Sequence, residues 1–417
     1  MLNLTSRTLK RRFPIIVATL LAVSGCTLQH KQKQFNPSAV AFDVSYNATF
    51  DNVLYPSMVL ALANYSGLEP QSLFTVSLVA PTNNAVLRVV MDSSNLNYVT
   101  ILQEVMPRKG ERYYFEQPVK WKYDYLYTLR QQGAADLTFT CYINDEEVDI
   151  KNLRINYRTV NECPLSLLDT SGHVLDYRWL FSAYVNEDHP YIDSILTTIL
   201  SQGIVNSFSG YQKGANEVRN QVFAVWYYAL NRGITYSSIS CTSNPSRRAS
   251  VQHIRFFDEV YLTRQANCVD ACVFFASILR KIGLEPVIFV EPCHAYLGYY
   301  TDKERKKIAL LETTVTGWVN LPQLEASRDK STGRVSDAAL KNVSKYVESN
   351  VMELYKQGRV SWDALKISIA RSLFQRATDY DNDQFSQNKQ HFENPDESTY
   401  QMLVVSDLRK VVQPIKR

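Results

Sequence analysis

The sequence has no CxxC pair and no Cys/His spacing of the kind that folds around zinc, so its seven cysteines do not read as a metal site and no cofactor is expected. It has no apolar run of the roughly 20 residues that a membrane-spanning helix needs; the run Phe13 to Val23 falls well short. It also has little excess charge, with 45 Lys and Arg against 41 Asp and Glu. Arg7, Lys10, Arg11 and Arg12 precede Cys26 with no acid among them, so taking these four away leaves 41 against 41. Nothing in that balance favours a nucleic-acid partner.

What is present begins with a basic segment, a short apolar run and then Leu21-Ala22-Val23-Ser24-Gly25-Cys26. That ending resembles a bacterial lipobox. The resemblance implies a lipoprotein signal peptide over residues 1–25, lipidation at Cys26, and a tether through residue 40. The mature chain would be held to a membrane in the cell envelope by its lipid anchor. Thr27, by the habit of such proteins, points to the outer membrane.

Residues 41–165 read as β-rich. Val119, Trp121, Tyr123, Tyr125 and Tyr127 alternate with residues such as Lys120, Lys122 and Asp124, which predicts a strand with one buried face. Leu137, Phe139, Cys141 and Ile143 repeat the pattern, and Asn144 to Glu147 reads as a turn. Short strands with turn signals between them suggest an immunoglobulin-like β-sandwich, its tyrosine stripe serving either as core or as a binding face. The composition then shifts to mixed helix and strand, so residues 176–417 form a second, α+β domain. Helices are expected over Tyr191 to Leu200, stopped by Gly203, and over Asn216 to Leu230, stopped by Gly233. Cys241 to Ser250 reads as a loop.

The chemical centre follows. Asn267 and Asp270 approximate a capping box, so Cys268 falls in the first turn of a helix that runs through Phe275, Ile278 and Leu279 to Gly283. A thiol there feels the positive end of the helix dipole, which favours the thiolate. Two strands come next, Pro286 to Val290 and His294 to Tyr300, and a third runs from Ile308 to Thr314. A hairpin centred on Lys303 would set His294 and Glu312 directly opposite each other, with Cβ atoms about 4.5 to 5.5 Å apart. A slip of one residue would put them on opposite faces.

A thiol, an imidazole and a carboxylate are the parts of a cysteine acyl-transfer site. Cys268 would attack a carbonyl, His294 would hold and return the proton, and Glu312 would orient the imidazole. The Cys268 amide and the side chain of Gln265 are candidate oxyanion donors. The plainer alternative is a capped helix with a buried thiol and a histidine that happens to meet a glutamate.

At Ile254 to Val260, Asn267-Cys268-Val269-Asp270, Ile278 to Pro286, Cys293 to Gly298 and Leu311 to Thr314, the chain resembles the bacterial branch of the transglutaminase-like superfamily. That resemblance implies a papain-like core with Cys268, His294 and Glu312 at the catalytic positions. It is closest over about Arg255 to Trp318 and says nothing of the β-rich part. Glu312 departs from the Asp that animal members carry. Cys272 and Cys293 crowd the site, either as a disulfide partner pair or as thiols that trap Cys268. Without Cys26 and Cys268, five cysteines remain, so at least one stays unpaired in a monomer.

Beyond Val319, Asp329 to Val335 reads as a loop, Asp337 to about Tyr355 and Trp362 to Phe374 as helices, Asp379 to Ser398 as a long polar loop, and Leu403 to Val405 as a closing strand. Three functions fit these features. The first is an envelope thiol enzyme acting on amide bonds of a protein or peptide, as peptidase, amidase or transamidase. The others are a catalytically silent scaffold lipoprotein and a redox protein built on Cys268, Cys272 and Cys293.

Overall fold

Alternating side chains build the first half of the chain. In Phe74–Val79 the residues Phe74, Val76 and Leu78 are buried, and in Ala85–Met91 every second side chain is. The structure, a computed structural model, describes residues 35–63, 73–238, 242–244, 246–394 and 397–416. The signal segment, Cys26, most of the tether and Cys241 lie outside them. Residues 37–417 form one compact unit of mixed α+β structure.

Among the described residues, the β-rich part is made up of a two-stranded sheet, Asn97–Tyr98 with Lys120–Trp121, and two larger ones. One has three strands, in the order Phe42–Tyr46, Phe74–Val79, Arg112–Glu116. The other has five, in the order Val53–Leu54, Glu146–Tyr157, Gly133–Ile143, Ala85–Met91, Thr100–Met106. Their inner faces meet where the rings of Phe74 and Phe139 lie 5.6 Å apart. The hairpin between Ile143 and Glu146 turns on Asn144 and Asp145, at φ 50° and 67°. Both are left-handed, as a two-residue hairpin turn requires, and Asn and Asp tolerate that conformation better than most residues.

Val119 to Thr128 is not the expected strand. Lys120–Trp121 forms a two-residue strand, and Tyr123–Thr128 is a short helix. The deciding residues are Leu126 and Leu129, buried at helical spacing, while Tyr123 stays exposed and Tyr125 and Tyr127 only half-buried. Packing of those two leucines overrides the strand preference of the aromatics. The boundary at residue 165 also falls inside a strand, since Glu162–Leu168 pairs with Ala249–His253.

Helices Tyr191–Ser201 and Ala215–Arg232 follow, ended by Gly203 and by Gly233 in the left-handed region. The second is buried on nearly all sides from Gln221 to Leu230, so it is a central rather than a surface helix. It packs on other helices, whereas against the helix Cys268–Lys281 lies a four-stranded antiparallel sheet. Its order is Ile308–Leu311, His294–Tyr300, Pro286–Glu291, Gln401–Val404.

The largest departure from the sequence reading is in the C-terminal part. The region 379–398 is mostly helix, because one helix runs unbroken over Trp362–Glu393. Asp379, Asn382, Asp383 and Gln387 occupy the solvent side, while Leu365, Ile369, Leu373, Ala377 and Asp381 continue a buried stripe. Phe385 and Phe392 then pack edge-on to Phe289, at 5.5 and 5.4 Å. The helix expected from Asp337 to Tyr355 is instead two, Asp337–Val343 and Ser349–Lys356. Among the described residues no helix is long and apolar enough to cross a membrane.

Candidate active site

The first turn of the helix Cys268–Lys281 is held by reciprocal bonds. Asn267 Oδ1 accepts the Asp270 N–H at 2.8 Å, and Asp270 Oδ2 accepts the Asn267 N–H at 2.9 Å. Asp270 is fully buried and also accepts from the Arg255 backbone and guanidinium, each at 2.7 Å. The chain before the helix is thereby tied to its N-terminus. Cys268 stands on the rim of this arrangement, and its N–H lies in the first turn, where no carbonyl of the helix can reach it.

The histidine and the acid come from neighbouring strands. Leu297 pairs with Leu311 and Tyr300 with Ile308, a register centred on Glu304 rather than Lys303. His294 and Glu312 are therefore not direct partners, and the strand Ile308–Leu311 has ended before Glu312. The offset is two residues, an even number, so both side chains remain on one face. His294 Nε2 lies 2.7 Å from Glu312 Oε2. Glu312 Oε1 accepts the Thr314 N–H at 2.8 Å, and the glutamate is 2% exposed.

The electrostatics follow from this packing. Burial disfavours the His294 imidazolium, but hydrogen bonding to Cys268 and Glu312, and their charge, outweigh it and raise the pKa above the usual value. Burial likewise opposes the Glu312 carboxylate, and the bonds from His294 and Thr314 outweigh it and lower its pKa. With Nε2 committed to Glu312, Nδ1 is the ring nitrogen available to the thiol. A cavity of about 330 Å³ reaches both, lined among others by Arg178, Gln252, Cys268, Cys293 and His294. A second depression, of about 410 Å³, shares His294 and Glu291 and carries Trp318 and Tyr380.

The chain matches no family model, and comparison with the curated proteins finds nothing similar to it.

Gln265 is exposed and lines neither cavity. Its strand Gln265–Ala266 pairs in parallel with Thr235–Tyr236 instead, which sets Tyr236 opposite Ala266, two residues before Cys268. Burial, then the charges of Cys268 and Glu312, raise the Tyr236 pKa. No motif marks Tyr236 in the sequence; only the strand pairing brings it here.

Cys272 and Cys293 are both free thiols, so the disulfide between them is not made. Cys272 points into the core, fully buried, with its sulfur 3.9 Å from Thr313 Oγ1. Cys293 sits exposed in the two-residue turn between Glu291 and His294, at φ 65°.

Asp381 is the second residue the sequence reading missed. It is fully buried on the long helix, and burial followed by the charge of Glu312 pushes its pKa up to about 10. Its signal was the four-residue spacing after Ile369, Leu373 and Ala377, hidden by the polar composition around it.

Proposed function

We propose that the protein is a cell-envelope lipoprotein with a papain-like, transglutaminase-like cysteine site that acts on amide bonds through a thioester. The His294 Nε2 to Glu312 Oε2 contact of 2.7 Å, with Cys268 within hydrogen-bonding reach of the same ring, carries this reading. The N-terminal pair of sheets is read with it as an immunoglobulin-like sandwich. Among its described residues, one strand pair is parallel, Val53–Leu54 beside Asn156 and Tyr157, at the edge of the larger sheet.

The chemistry runs in two halves. The Cys268 thiolate attacks the amide carbonyl carbon and forms a C–S bond, while the carbonyl π pair moves to oxygen. The Cys268 N–H, unbonded within the first turn of its helix, is the donor that would meet that oxyanion. Collapse breaks the C–N bond, and the amine leaves with the proton held at His294. Water or a second amine then attacks the thioester, gives its proton to His294, and expels the thiolate. Glu312 holds the imidazolium throughout and stays ionised. Peptidase, amidase and transamidase activity share these steps and differ in the second nucleophile.

The test is mass spectrometry of the purified protein with envelope peptides, alone and with added primary amines, and with Cys268→Ala as control. Cleavage, or a mass gain at glutamine or the scissile amide that the control lacks, supports the reading. If Cys268 is alkylated by iodoacetamide at neutral pH no faster than an ordinary thiol, the reading fails.

A further inference from the structure

Asp381 stands where the long helix should carry an apolar residue. It continues the stripe of Leu365, Ile369, Leu373 and Ala377, is 0% exposed, and neither of its oxygens has a hydrogen-bond partner. A carboxylate left ionised in such a place is strongly disfavoured. One helical turn earlier the Ala377 carbonyl accepts the Glu312 N–H at 3.2 Å, so the same helix that carries Asp381 also holds the backbone of the catalytic acid. Residues four apart share a helix face, and the Asp381 carboxyl accordingly meets that of Glu312.

The surroundings decide where a proton must be. The charges that reach Asp381 come from Glu312, His294 and Glu291, and it acts in turn on Cys272 of the nucleophile helix and Tyr296 of the histidine strand. Of these only His294 is positive, and its Nε2 is already bonded to Glu312. Two ionised carboxylates are both acceptors and form no bond with each other; with one proton between them they form one. Glu312 already accepts from His294 and Thr314, which stabilise its charged form. The proton therefore belongs on Asp381.

Resting on the thiol site proposed above, we infer that Asp381 is a positioning residue, a neutral carboxyl whose O–H donates to Glu312 and holds that carboxylate against His294. A donor on Glu312 lowers its basicity, so the proton stays on the imidazole. It also removes the freedom of the glutamate to rotate away.

Two measurements on the full chain test this. In difference infrared spectra against Asp381→Asn at pH 8, the wild type shows a protonated carboxyl band that the variant lacks. In the second, iodoacetamide labelling of the Cys268 peptide is followed against pH by mass spectrometry, which separates it from Cys293. Asp381→Leu, which removes the donor, lowers the rate at pH 6 by about tenfold to a hundredfold, the worth of a hydrogen bond to a charged group. Asp381→Asn, which keeps an N–H donor, rescues most of that loss. Absence of the infrared band overturns the proposal even if Asp381→Leu does not fold. So does a folded Asp381→Leu that labels like wild type. Ordinary-thiol labelling in the wild type sinks the thiol site and the positioning role together, whereas loss of the band alone sinks only the role of Asp381.

Discussion

His294 and Glu312 meet at 2.7 Å although their strands are in register for Glu312 to face Tyr296. Diagonal neighbours across antiparallel strands stand about 7–8 Å apart, against about 4.5–5.5 Å for direct pairs. The longer arm of glutamate covers that difference. This gives a physical reason for Glu rather than Asp at this position.

Shortening the arm should therefore break the contact. Glu312→Asp is expected to slow Cys268 alkylation at pH 7 by about tenfold to a hundredfold, the worth of one hydrogen bond to a charged group. Peptide-resolved labelling kinetics measure it. A variant that labels at the wild-type rate would mean that the aspartate reaches the ring and that the register argument is wrong.

The pair also sets a pH window. The Glu312 pKa is lowered, so its contribution to stability is present above the ordinary 4.5 and is lost as pH falls through the depressed value. The His294 pKa is raised, so its contribution is complete below the ordinary 6.5 and is lost as pH rises through the folded value. Urea titrations from pH 4 to 10 should show a His294→Ala variant closest to wild type in stability at the alkaline end.

Asp381 works in the other direction across the same range. Its pKa is raised above 3.8, so the folded protein keeps a proton that the unfolded chain releases, and stability falls with pH from about 4 upward by at most about 1.4 kcal/mol per unit. Asp381→Asn should gain on wild type as pH rises. Parallel urea titrations at pH 5 and pH 8 read the difference; a constant gap would show that Asp381 ionises normally.

The N-terminus of the helix Cys268–Lys281 depends on Arg255, whose guanidinium reaches the fully buried Asp270 at 2.7 Å. Arg255→Ala leaves that carboxylate buried without its cation and should cost about 3–5 kcal/mol. Asn267→Ala, which removes only a cap, should cost about 1 kcal/mol. Equal losses in chemical denaturation would refute the distinction.

Gly298 lies under Phe289, and a Cβ there would come within 2.5 Å of the ring. The ring is stacked on Tyr296 at 5.0 Å and abutted by Phe385 and Phe392, so it has little room to yield. Gly298→Ala should destabilise by about 1–3 kcal/mol. Thermal melts give the answer, with no change in Tm as the contrary result.

Much of this was written locally. The cap at Asn267 and Asp270, the stops at Gly203, Gly233 and Gly283, and the alternation of Leu137 to Ile143 are short-range signals, because capping, left-handed turns and strand faces depend on neighbours in sequence. They were enough to put a thiol at a helix start and a histidine and a glutamate at adjoining strand ends. The strand register was not local: it rests on where the hairpin of Asp302 to Lys307 closes, and its two-residue offset came from pairing. Tyr123 to Thr128 and the helix beyond Phe374 were misread for one reason. Composition favoured strand and loop, and contacts from distant residues, the helix Pro56–Ala61 in one case and Phe289 in the other, reversed the outcome.

The sequence by itself determined the parts of the site and their order along the chain. Only tertiary structure brought Tyr236 opposite Ala266 and Asp381 to Glu312, because each is delivered by an element whose own residues carry no trace of the partner it will meet.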